Sequence, residues 1–99
     1  MTYNDIISAF NEHLAKSAKN KWSDFYVGIT DNIEERLHGF HKVPNEGHWF
    51  ICCPADSEDI ARSVEKFFLK KGMDGDTGGG DDDTIFVYFY EIGPNTKER

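Results

Sequence analysis

Tyr26 and Arg36 stand ten residues apart, on either side of a strand-to-helix turn. A tyrosine hydroxyl can handle a proton, and an arginine fork can bind two oxygens of a phosphate. The pair suits phosphate chemistry if the fold brings the two side chains to one spot. Gly28 presents no side chain and leaves the strand surface open beside Tyr26. His38 and His41 flank the end of the following helix, and His41, just past Gly39 and beside Lys42, is the better general acid or base at neutral pH. Their spacing of three permits a metal, but two histidines without a third ligand fall short of a metal centre. The plain expectation for both is a surface position.

The elements that must position these residues alternate between helix and strand. Residues 2–19 read as an amphipathic helix with Ile6, Ile7, Phe10 and Leu14 at helical spacing, capped by Thr2 or Asn4. A strand at 25–29 is rich in aromatic and β-branched residues. Thr30 or Asp31 then caps a short helix, with Glu34 completing a capping box and Ile33, Leu37 and Phe40 on its inner face. Arg36 falls about 70° from the centre of that face, at its edge. A strand at 49–53 is stopped by Pro54.

Asp56 or Ser57 caps the third helix, whose stripe is Ile60, Val64, Phe67 and Phe68 and whose C′ residue is Gly72. Residues 72–83 are a glycine- and aspartate-rich loop, and 84–92 is an almost wholly apolar strand fit for a central place in a sheet. The tail from Pro94 reads as frayed. The order α-β-α-β-α-β gives an α+β fold, three or slightly more strands with about three helices packed on them, in a single domain over 1–99.

Composition bounds the function. A 99-residue chain with 14 % aromatic residues has the means for a core without disulfides or a structural metal. The net charge of −7 argues against broad attraction to nucleic acid or anionic membrane, leaving only a local basic patch. No charged-then-apolar leader and no run of about 20 apolar residues is present, so the expectation is a cytoplasmic protein with no membrane partner. Cys52 and Cys53 point to opposite strand faces and read as reduced, buried thiols. The Asp74–Asp83 loop fails the EF-hand template, because Gly78 holds its fifth position and Ile85 its twelfth.

Tyr26-Val27-Gly28, the arginine ten residues on, the strand at 49–53 and the helix bearing Glu65 together resemble the second half of the GIY-YIG nuclease signature over residues 24–71. The resemblance implies a small α/β sandwich that cuts phosphodiester bonds. Tyr26 would assist the attacking water, Arg36 steady the phosphate, and Glu65 hold one magnesium or manganese ion. It implies a nucleic-acid partner, DNA ahead of RNA.

Two parts of the pattern are missing. The stretch before Tyr26 reads as helix and holds no tyrosine, and no late asparagine follows the glutamate helix. The strand carrying Tyr88 and Tyr90 is the candidate to fill the place of the missing first strand and restore its hydroxyl.

Each residue also has a plainer reading. Tyr26 would be a core tyrosine, and Arg36 a surface group bonded to Asn32. Glu65, about 115° from the centre of its helix's apolar stripe, would be a surface carboxylate. The rival function is a non-catalytic module on the same core that binds nucleic acid or protein.

Overall fold

The computed structural model describes residues 1–16, 21–43, 49–75, 85–94 and 96–98. Its elements are α1 (Tyr3–Leu14), β1 (Phe25–Thr30), a π-helix (Glu34–Phe40), β2 (Phe50–Pro54), α2 (Glu58–Lys71), β3 (Asp74–Gly75) and β4 (Phe86–Glu91). The protein is a small α+β fold with a mixed four-stranded sheet in the order β2-β4-β1-β3.

β4 is central, which its apolar run requires, and lies antiparallel to both β1 and β2. Its register sets Tyr90 opposite Tyr26 and Tyr88 opposite Gly28. On the far side of β1, β3 adds a short parallel rung at Tyr26 and Val27, an element the glycine-rich composition conceals. β2 is an edge strand, which is why Pro54 closes it as its last residue instead of lying beyond it.

Alternation splits the strands into two faces. On one, Phe25, Val27, Ile51, Cys53, Val87 and Phe89 meet Ile6 and Phe10 of α1 and Ala61, Val64 and Phe68 of α2. Phe10 is the hub, with its ring centroid 4.7 Å from that of Phe89, 4.9 Å from Phe68 and 5.6 Å from Phe25. The other face carries Tyr26, Tyr88 and Tyr90, roofed by Leu37 of the π-helix and by Val43.

The local signals are mostly those the residue types dictate. The Thr2 hydroxyl accepts from the Asp5 amide and the Asp5 carboxylate from the Thr2 amide, so α1 opens on a capping box. Ser57 accepts from the Ile60 amide at the head of α2, and Gly72 ends that helix at φ 109°, a conformation open to glycine at little cost. α1 is shorter than its periodicity indicates, and residues 17–20 lie outside the described part. Cys52, expected to be buried, is exposed, because it lies on the tyrosine face at the edge strand. Cys53 is buried, and burial pushes its thiol up to about 11.

Candidate functional site

Strand β1 sets Tyr26 and Gly28 on one face, and β4 brings Tyr88 and Tyr90 beside them. The rings of Tyr26 and Tyr90 stack at 5.1 Å with 17° between planes, and those of Tyr26 and Tyr88 lie parallel at 6.3 Å. The space that Gly28 leaves is not open, as its sequence context suggests. The Tyr88 ring fills it, so closely that a Cβ on Gly28 would sit 2.3 Å from both Cζ and the hydroxyl oxygen of Tyr88.

The π-helix supplies the other side of the cluster. Its start is fixed by Asn32, whose side-chain oxygen accepts from the Glu35 amide at 3.1 Å; the expected Asp31–Glu34 pair is replaced by this one, a residue further along. The wider winding ends where the His41 amide donates to the Arg36 carbonyl at 3.1 Å, five residues back. Lys42 then takes a left-handed backbone at φ 61°. The changed winding alters which side chains face the sheet. Phe40, expected on the inner face, is exposed, whereas His41, expected at the surface, is fully buried.

His41 touches all three tyrosines. Its ring lies 4.6 Å from Tyr26, 5.5 Å from Tyr88 and 5.1 Å from Tyr90. Nδ1 is 2.6 Å from the Lys97 carbonyl and 3.1 Å from the Tyr90 hydroxyl, while Nε2 is 2.8 Å from the Tyr88 hydroxyl. A carbonyl can only accept, so these partners assign the proton to Nδ1. Nε2 then accepts from Tyr88, and the Tyr90 hydroxyl donates to Glu98 at 3.0 Å. Burial holds His41 below the usual histidine range against the pull of the Lys97 carbonyl; Arg36 lowers it further and Glu98 raises it. The ring is neutral at physiological pH.

Arg36 reaches into this layer from the π-helix. Its guanidinium lies 4.5 Å above the Phe40 ring and its side chain hydrogen-bonds Tyr88. The link to Asn32 is a backbone one, from the Arg36 amide to the Asn32 carbonyl. Burial lifts the Tyr88 hydroxyl well above the usual tyrosine range, Arg36 draws it back, and Tyr26 and Glu65 raise it again. Burial likewise dominates the upward shift of Tyr90, with Glu98 adding to it.

Glu65 departs from the helical-wheel reading. The buried stripe of α2 is Ala61, Val64, Glu65 and Phe68, rotated from the expected Ile60/Phe67 side, and it carries Glu65 inward to 3 % exposure. Its Oε2 is sealed from solvent, and its charge is felt at Tyr88. The structure therefore brings Tyr26, Arg36, His41, Tyr88 and Tyr90 into one layer, whereas Glu65 belongs to α2, which packs on the opposite face of the sheet, and reaches that layer through its charge at Tyr88. The structure leaves out His38, whose Nδ1 is 2.6 Å from the Val43 carbonyl and whose ring meets Phe50.

The tail is the part that residue-by-residue reading missed. Instead of fraying, it turns at Gly93–Thr96, where the Gly93 amide donates to the Thr96 hydroxyl at 3.0 Å. The Lys97 amide then donates to the His41 carbonyl at 2.7 Å. Its polar residues carry no local signal for docking; the partners that hold it are more than fifty residues away in sequence, apart from Tyr90. The exposed lysines Lys66 and Lys70 line a shallow cleft with Tyr3, Ser63 and Phe67 on the α1–α2 layer, behind the sheet from the tyrosines. Asp76 and Asp81–Asp83 lie outside the described residues.

Among the described residues, no three His, Cys, Asp or Glu side chains gather as ligands, and no helix is long and apolar enough to cross a membrane. Comparison with family models, curated proteins and solved structures returns no match to this chain.

Proposed function

We propose that this chain is a divalent-metal-assisted endonuclease of the GIY-YIG type, cutting nucleic acid, DNA ahead of RNA, in which β4 supplies the tyrosine strand that the family places ahead of Tyr26. The observation that carries the reading is the convergence of Tyr26 and Tyr88 from adjacent antiparallel strands with Arg36 bonded to Tyr88, where the charge of Glu65 is also felt. The connection order is then rotated, with the first strand of the pattern arriving last in the chain.

In this reading Arg36 binds two oxygens of the scissile phosphate. Tyr88 stays a neutral phenol, so its hydroxyl orients a water and does not act as a phenolate base. Tyr26, stacked beside it, lines the same place. Neutral His41 takes the Tyr88 proton at Nε2 as the Tyr88 hydroxyl takes one from the attacking water, so the phenol stays neutral throughout. Glu65 is the carboxylate that would hold a hard divalent ion, for which one or two carboxylates suffice. A magnesium or manganese ion bound by Glu65 would supply positive charge against the charge that builds on the phosphate.

The second reading is a module that binds nucleic acid or protein without turnover. The near-complete burial of Tyr26, Tyr88, His41 and Glu65 favours it, as does the net charge of −7. Titrating manganese into an isotope-labelled sample separates the two. Broadening centred on Glu65, with Tyr26 and Arg36 beside it and lost in Glu65→Gln, supports the nuclease and is followed by an oligonucleotide cleavage assay. Broadening confined to Asp81–Asp83, or none, turns the assignment to the binding module.

A further inference from the structure

The groups gathered on the tyrosine face are closed off. Tyr26 and Tyr88 are each 1 % exposed, and Tyr90 and His41 are fully buried. Part of what covers them is the tail. Lys97 is joined to His41 by two backbone contacts, its amide to the His41 carbonyl and its carbonyl to Nδ1, and Glu98 accepts the Tyr90 hydroxyl. The described tail after Ile92 is Gly93, Pro94, Thr96, Lys97 and Glu98, with no large apolar side chain to anchor it. Lys97 is exposed, and its ammonium lies 5.9 Å from the Phe40 ring. A segment held by hydrogen bonds with little apolar burial belongs to the class that opens locally while the core stays folded. The turn at Gly93–Thr96, closed by three hydrogen bonds, gives it a defined pivot.

We propose that Thr96–Glu98 is a latch over the tyrosine face, with the Glu98 carboxylate occupying on Tyr90 the position that an oxygen of an incoming phosphate diester takes when the latch is released. The consequence for catalysis rests on the nuclease reading; the closure itself does not. Glu98 is suited to the part because it is a carboxylate held on a tyrosine hydroxyl, and its charge and that of Arg36 are both felt at His41 between them. An anion that binds Arg36 and offers an oxygen to Tyr90 competes with Glu98 on like terms.

The test compares the full chain, a chain ending at Pro94, and the double variant Lys97→Pro/Glu98→Ala, all checked for folding by circular dichroism. Tetranitromethane nitration mapped by mass spectrometry reads access to the phenols, and cleavage of a labelled DNA oligonucleotide with manganese reads activity. The expected result is protection of Tyr88 and Tyr90 in the full chain and their nitration in both altered chains. Cleavage should rise about tenfold if the open form is about a tenth of the full chain. Nitration without cleavage in any chain keeps the latch and removes the nuclease. Persistent protection of Tyr90 in a folded altered chain overturns the latch. If the shortened chain does not fold, the double variant, which keeps the tail's length, decides.

Discussion

The Tyr88 ring occupies the place where Gly28 would carry a side chain, directly across the β1–β4 ladder. The glycine is thus half of a two-residue fit, and the tyrosine hydroxyl is aimed by it at His41 Nε2.

Gly28→Ala is expected to force the Tyr88 ring aside, since a methyl 2.3 Å from two ring-end atoms cannot be accommodated. Overpacking of this kind costs about 1–3 kcal/mol. Urea unfolding measures it, and the double variant Gly28→Ala/Tyr88→Ala should show a favourable coupling of the two changes. Simple additivity would mean that the ring does not rest on the glycine.

Alkaline pH should destabilise the protein through Tyr88 and Tyr90. Both are held above the ordinary tyrosine range, chiefly by burial, so the unfolded chain loses these protons first. Their contribution is complete below about pH 10 and is lost as pH rises beyond it. Absorbance near the phenolate band should show at least these two tyrosines ionising only as the fold is lost. Ionisation of all four tyrosines in a still-folded chain would contradict the buried layer.

Acid should act through His41 with the opposite sign. Its folded value is lowered, so its contribution is present above about pH 6.5 and declines as pH falls toward the folded value. The groups facing it are Arg36 from the π-helix, Tyr26 from β1, Tyr88 and Tyr90 from β4, and Glu98 from the tail. His41→Gln keeps a polar group in place and should flatten stability between pH 5 and 6.5, in a range above the carboxylate titrations (about pH 4). Nitrogen-15 spectra of the wild type should show hydrogen on Nδ1 alone.

Much of this arrangement was legible in the residue order, and the misses have physical causes. The caps at Thr2 and Ser57, the stop at Gly72 and the central strand through Tyr88 and Tyr90 follow from local chemistry. His41 was misplaced because a π-helix advances its side chains differently from the 3.6-residue wheel assumed for it. Glu65 was misplaced because Ala61, too small to mark an apolar stripe, is part of the buried row while Phe67 lies at its margin. The pairing of β4 with β1 is non-local, and no periodicity within either strand encodes it.

Lys42 ends the π-helix with a left-handed backbone, a conformation that costs a side-chain-bearing residue about 1–2 kcal/mol. Lys42→Gly should relieve part of that cost and leave stability unchanged or raised by up to about 1 kcal/mol, the gain being offset by the greater freedom of glycine in the unfolded chain. Thermal unfolding measures it. A clear loss of stability would mean that the lysine side chain contributes more than its backbone costs.

Arg36 separates the two functional readings most sharply. It is half-buried, stacked on the exposed Phe40 and bonded to Tyr88, so truncating it removes one charge-assisted hydrogen bond and one partly solvated stacking contact. Arg36→Ala should therefore cost about 1–3 kcal/mol of stability and leave the sheet and the His41 contacts intact. If Arg36 binds the scissile phosphate, cleavage of an oligonucleotide should fall by about a hundredfold or more, on the scale seen when one transition-state donor is lost. Arg36→Lys should recover stability better than rate, because an ammonium keeps the charge but not the two-pronged grip on a phosphate. A cleavage rate unchanged in folded Arg36→Ala would remove the arginine from the chemistry and leave the cluster as a buried polar core.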